Sequence, residues 1–139
     1  MGATIADHFA GITALARSHL DEVQTLEEDH TPERSFLRLS ARYGRYRVFI
    51  TEIISQRVRK YRYYALDGER VVAGFDNAAD PRALRLKYGR IGQNHAGELI
   101  PHLHLEDKSK IELTGEMECA DFIAWLKTHL PLADEKVSG

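Results

Sequence analysis

The sequence predicts an α+β fold: an antiparallel meander sheet of about five strands with a long N-terminal helix and a short C-terminal helix. Three observations carry that prediction. Apolar residues recur at helical spacing from Ile5 to Leu26. From Ser35 to Asp76 the period drops to two, with turn residues between the runs. Helical spacing returns over Cys119–Leu130 and stops at Pro131. At 139 residues, 43% of them hydrophobic and 29% charged, the chain suits a single folded domain with a real core. That domain is expected over residues 1–132, with a disordered tail over 133–139.

Each element has its own signal. Ile5, Phe9, Ile12, Leu15, Leu20, Val23 and Leu26 line one stripe of the first helix. Thr4 or Ala3 lies near its start, and Asp7 falls in the first turn, where the helix dipole favours a negative charge. "DHTPE" ends the pattern, because Pro32 disfavours helix in the residue before it. "SFLRLSARY" then sets Leu37, Leu39 and Ala41 against Phe36, Arg38, Ser40 and Arg42, and Tyr43-Gly44 turns the chain. "RYRVFITEIIS" and "RVRKYRYYAL" make the next two strands. Asp67-Gly68 marks a two-residue hairpin of type I′, and "ERVVAGFD" is the fourth strand. Residues 77–99 read as a long loop holding Pro81, Gly89, Gly92 and Gly97, with a single helical turn after Asp80. "LIPHLHLED" alternates again and supplies a fifth strand, with Pro101 near its start. Phe122, Ile123, Leu126 and Leu130 form the stripe of the closing helix.

The net charge of −2 conceals a strong asymmetry. Residues 1–33 hold seven acids and one base, Arg17, whereas residues 34–62 hold nine bases and one acid, Glu52. Charge segregated in this way creates a local field suited to an anionic partner, unless the basic strands pair with acidic neighbours inside the fold. The single cysteine, Cys119, excludes an internal disulfide and reads as a small buried residue. No apolar run approaches the ~20 residues of a membrane span. The opening "MGATIADHFAGITAL" lacks the early basic region of a signal peptide. A cytoplasmic location with no membrane partner is expected.

Chemistry is concentrated in three places. On the third strand, alternation puts Arg57, Arg59, Tyr61 and Tyr63 on one face and Val58, Lys60, Arg62 and Tyr64 on the other. A face that mixes arginine with tyrosine suits a nucleic acid strand, since guanidinium groups pair with phosphate and rings stack on bases. Tyrosine is also a good strand former, and arginine stems cover apolar surface, so the pattern serves structure equally. The second place is His102-Leu103-His104, whose imidazoles share one face of a strand. They could be two metal ligands, with a third from His95, Glu98, Glu106 or Asp107. They could be a general acid and base, or plain surface histidines. The third is Asp76-Asn77 at a strand end, either capping a turn or, through Asp76, orienting a histidine. No phosphate-binding glycine loop is present.

Taken together, "VRKYRYYALDGERVVAGFDNA", then "HLHL" after a variable loop, then a short C-terminal helix, resembles the TumE family of toxins from prokaryotic type II toxin–antitoxin systems. Tyr61, Arg62 and Tyr63 match that family's Tyr-Arg-Tyr strand. Asp76, Asn77 and Ala78 match its strand end, and His102 and His104 match part of its histidine-rich segment. Phe75 stands where the family has tyrosine. The resemblance covers residues 35–130 and implies a small cytoplasmic toxin acting on RNA or translation, neutralised by a helix-turn-helix antitoxin.

The expectation drawn from these readings is a toxin-like ribonuclease that uses neither metal nor cofactor. His102 and His104 transfer protons, and Asp76 orients one of them. Arg57, Arg59, Tyr61, Tyr63 and Asn77 contact the RNA. The alternatives are a non-catalytic module that binds nucleic acid or protein, and a homodimer in which the basic strands of one copy meet the acidic first helix of the other.

Overall fold

A computed structural model describes residues 4–89 and 95–132. The expected tail over 133–139 lies outside the described residues. Ten elements follow in order: α1 (Ile5–His19), β1 (Asp21–His30), β2 (Ser35–Tyr43), β3 (Tyr46–Ser55), β4 (Val58–Asp67), β5 (Arg70–Asp76), α2 (Pro81–Tyr88), β6 (His102–Leu105), β7 (Lys110–Leu113) and α3 (Cys119–His129). The strands form one antiparallel sheet in simple sequential order from β1 to β7. The α+β class holds, but the sheet has seven strands rather than about five.

Both extra strands have physical explanations. The first helix stops at His19, not near Leu26, and the chain turns at once into β1. Leu20, Val23 and Leu26 stand three apart, which mimics a helical stripe. The acidic run that would have opposed the helix dipole instead lies along basic β2, where Glu27 faces Arg38 and Glu22 pairs with Arg42 at 3.2 Å. β1 is almost wholly exposed, and its charges blunt the sheet edge against pairing with other chains. β7 extends the sheet beyond the expected last strand, returning after a tight turn and pairing His104 with Ile111. Where a single helical turn was expected after Asp80, Pro81–Tyr88 form an eight-residue helix. Asp80 caps α2 by accepting from the Arg82 N–H at 2.8 Å, Pro81 pre-sets its first turn, and Gly89 ends it at φ +79.

The sheet has one covered face. Thr4 and Asp7 form a reciprocal capping box that starts α1 and aims Phe9, Ile12 and Ala16 at the sheet. Those residues, with Phe122, Ile123 and Leu126 of α3, bury Leu37, Leu39, Val48, Ile50, Tyr61, Tyr63 and Phe75. Phe122 stacks on Tyr63, and Trp125 meets Phe75 edge-on. Among the described residues, the opposite face carries α2 as its one helix, whose Ala83 and Leu84 pack with Ile100 at one end of the sheet.

A buried charge organises the covered face. Glu52 has no exposed surface. Its carboxylate accepts from the Tyr63 hydroxyl, sits 3.2 Å from the Arg59 Nη1 and 2.8 Å from the His8 Nε2. Arg59 in turn donates to the Met117 carbonyl at 2.6 Å and lies over the Tyr61 ring. Burial and the adjacent carboxylate both push the Tyr63 phenol far up, so it remains a donor.

Two predictions follow from this packing. Arg59→Met strands a buried carboxylate and should destabilise the fold by about 3–5 kcal/mol in urea unfolding, with the Glu52→Gln/Arg59→Met pair recovering much of the loss. The second concerns the β3–β4 turn, where Gln56 and Arg57 occupy φ +48 and +68. A two-residue turn of this shape favours Asn-Gly, so Gln56→Asn/Arg57→Gly should raise the urea midpoint by the equivalent of about 1 kcal/mol.

Candidate functional site

The open face of the sheet is built by the outward half of each strand's alternation. β2 supplies Phe36, Arg38, Ser40 and Arg42; β3 supplies Arg47, Phe49, Thr51 and Ile53; β4 supplies Lys60, Arg62, Tyr64 and Leu66. A shallow groove of about 530 Å³ runs over Phe36, Phe49, Tyr64 and Leu66, flanked by Arg38, Arg62 and Lys108. The guanidinium groups lie over the rings: Arg38 and Arg47 over Phe49 at 5.7 and 5.1 Å, and Arg62 over Tyr64 at 5.1 Å. Lys108 covers Tyr64 from the β6–β7 turn, where Glu106, Asp107 and Lys108 all hold positive φ. Asp107 ties that turn to β5 by accepting from the Val71 N–H and donating to its carbonyl. Among the described residues, no carboxylate oxygen lies within 4 Å of Arg38, Arg47, Lys60 or Lys108. A smaller recess of about 310 Å³ shares Thr51, Ile53 and Arg62 with the groove and reaches Asp76.

At that end three side chains converge. Asp76 pairs with His102 across β5 and β6, and His104 follows two residues on, so all three project from the open face. They are nevertheless buried, beneath the N-terminal end of α2. One donor atom from each falls within 4.8 Å of the others. The imidazoles stand perpendicular with their Nε2 atoms 3.1 Å apart. His102 is oriented by its Nδ1, which donates to the Ile100 carbonyl at 2.7 Å. Asp76 Oδ1 accepts from the Ala78 N–H, while among the described residues its Oδ2 has Tyr64 OH at 3.4 Å and Arg62 Nε at 3.7 Å. Asp80 Oδ2 approaches His102 Nε2 to 3.9 Å. Burial, then the neighbouring His102, lowers the His104 pKa and keeps that ring neutral. For Asp80, burial resists the charge, but the Arg82 N–H and guanidinium outweigh it and hold the carboxyl below its ordinary value.

The expected contact residues do not share this face. Arg59, Tyr61 and Tyr63 point into the covered core, and their polar atoms are committed to Glu52 and to the segment before α3. The strand has two arginine–tyrosine faces, and the helices cover the one first assigned to RNA. Arg57 is exposed at a turn tip, outside β4. Asn77 is locked into the sheet: its Oδ1 accepts from the Tyr61 N–H and its Nδ2 donates to the Arg59 carbonyl, extending the ladder past the end of β5. Asp76, His102 and His104 do come together. The groups that sequence reasoning missed are Arg38, Arg47, Phe49, Tyr64, Lys108 and Asp80. For Arg38, Arg47 and Phe49 the signal was the alternation of β2 and β3, which puts arginine and phenylalanine opposite a mostly apolar face. Cys119 is buried, and burial pushes its thiol up to about 12, which removes it as a nucleophile.

Gly74 holds this site in shape. It sits between Tyr64 and His104 in the ladder, and a Cβ there would meet the Tyr64 ring at 2.8 Å. Gly74→Ala should displace the Tyr64 ring from the groove floor, seen as altered aromatic proton shifts and a fall of about 1–3 kcal/mol in stability.

Comparison with protein-family models, with curated proteins and with solved structures finds no match to this chain. The chemistry of the site itself therefore carries the functional reading.

Proposed function

We propose that this protein binds single-stranded RNA along the open face of its sheet, as a binding module. One observation carries the reading: a groove floored by Phe36, Phe49 and Tyr64 is bordered by Arg38 and Lys108, which have no carboxylate within 4 Å among the described residues, and by Arg62, whose nearest carboxylate, Asp76, is 3.7 Å away. Rings in such a floor offer stacking platforms for unstacked bases, and the guanidinium groups around them reach phosphates. A broad, shallow face also suits single strands better than a duplex, whose bases are turned inward. A toxic activity, as the family resemblance implies, would then come from occupying RNA, with an antitoxin relieving it by covering the same face.

Binding is favoured over proton-transfer catalysis by the placement of the histidines. A general acid or base must reach the proton it moves, within about 3 Å or through one water. His102 and His104 are buried and turn their Nε2 atoms toward each other.

Fluorescence anisotropy with a labelled 12-nucleotide RNA tests the proposal. Affinity should fall with salt, with a log–log slope of about −0.7 for each phosphate engaged. Arg38→Ala, Arg62→Ala and Tyr64→Ala should each weaken binding roughly tenfold. Arg17→Ala, on the helical side of the molecule, should leave it unchanged. Absence of binding at low salt, or full affinity in an Arg38→Glu/Arg62→Glu protein, would overturn the reading.

A further inference from the structure

The buried cluster at the end of the groove has more polar groups than its hydrogen bonds employ. His102 Nδ1 donates to Ile100, so its Nε2 carries a lone pair. If the 3.1 Å contact between the rings is a hydrogen bond, His104 Nε2 supplies the proton, and its Nδ1 is then a bare acceptor. That Nδ1 is buried and has no hydrogen-bond partner among the described residues. Asp76 Oδ2 is little better served, since charge-assisted bonds to a carboxylate run at ~2.7–2.9 Å and its contacts are 3.4 and 3.7 Å. Three polar side chains buried with this much unmet demand destabilise a fold that apolar residues would fill better. Packing does not account for them.

Ligation does. Two nitrogens bound at ~2.0–2.1 Å to one ion lie about 3.3 Å apart at a tetrahedral angle and about 2.9 Å apart at a right angle. The observed separation of 3.1 Å falls between. Asp76 brings a carboxylate oxygen within the same 4.8 Å sphere, and Asp80 brings a second carboxylate close to His102 from the start of α2. The Ile100 carbonyl behind His102 is the outer-shell acceptor that ligating histidines characteristically use. We propose that Asp76, His102 and His104, with Asp80 completing the set, bind a divalent first-row transition metal ion. Two imidazoles with two carboxylates suit zinc, iron(II) or manganese(II), and disfavour calcium and magnesium, which take oxygen ligands. The site requires only these four donors, so it stands whether or not the groove holds RNA.

Chelator-treated full-length protein should be titrated with Zn²⁺ and with Co²⁺. The expected result is one equivalent bound at micromolar affinity or tighter, with a visible Co²⁺ absorption band that Zn²⁺ abolishes and a raised Tm. In ¹⁵N-resolved imidazole spectra, one equivalent of Zn²⁺ should shift the Nε2 signals of His102 and His104. Asp80→Asn keeps a side chain able to cap α2. It should lower the metal-free unfolding midpoint only slightly, through the lost attraction to Arg82, while weakening Zn²⁺ binding by about tenfold. A folded His104→Gln protein should lose the stoichiometric binding. If that variant does not fold, the wild-type imidazole shifts and Asp80→Asn decide the question. Wild-type protein that binds Zn²⁺ only at millimolar concentration would overturn the proposal. So would unshifted His102 and His104 signals, or equal affinity in wild type and both variants.

Discussion

Glu52 lies at the middle of the sheet with no exposed surface, and much of the architecture follows from neutralising it. A lone buried carboxylate is costly, so the fold must bring cationic and hydroxyl donors to it. Arg59 and Tyr63 do so from β4, and His8 does so from α1. Arg59 and Tyr63 thereby commit one face of β4 to the interior. Because side chains alternate strictly along a strand, Lys60, Arg62 and Tyr64 must then face outward. The register carries that choice across the sheet, turning Arg38, Phe49, Asp76, His102 and His104 to the same open side.

The two faces of the sheet therefore contain similar residues with different physics. On the covered face, Arg59, Tyr61 and Tyr63 are bonded to Glu52 and to Met117, and their contribution is to stability and to the docking of α1 and α3. On the open face, Arg38 and Arg47 stack over Phe49 with no carboxylate within 4 Å among the described residues, and Arg62 stacks over Tyr64 with Asp76 at 3.7 Å, which keeps charge available there. The acidic β1 strand offsets part of this field only at the sheet edge, through Glu22 and Arg42. The groove and the histidine cluster meet at Arg62 and Asp76, so an anion in the groove and an ion in the cluster would sense one another through those two side chains.

Much of the fold was legible in the chain. β2 to β5 were readable because alternation was sustained over several residues and glycine marked the first and last of the three turns, at Gly44 and Gly68. Even so, the loop joining β4 and β5 is Gly68-Glu69, with Gly68 at φ +63 in its first position, rather than the Asp67-Gly68 loop expected. β1 was misread because its apolar residues sit three apart. α2 was underestimated because Pro81 and Gly89 look like loop residues until Asp80 is seen capping the helix they bound. The convergence of Asp76 with His102 and His104 was partly readable from a strand end and an alternating H-x-H. Asp80 was not, because only the path of the chain after β5 brings it back.

The sequence by itself determined the period of β2 to β5, the start of the first helix, the stop of the last one and the alternation of faces along those four strands. It also determined that basic and aromatic residues alternate through the middle of the chain. Which of the two faces is interior was decided only by the tertiary structure. Both faces of β4 mix arginine with tyrosine, so local periodicity leaves the choice degenerate. Packing of α1 and α3 against Leu37, Ile50 and Phe75, with Glu52 paired beneath them, breaks that degeneracy.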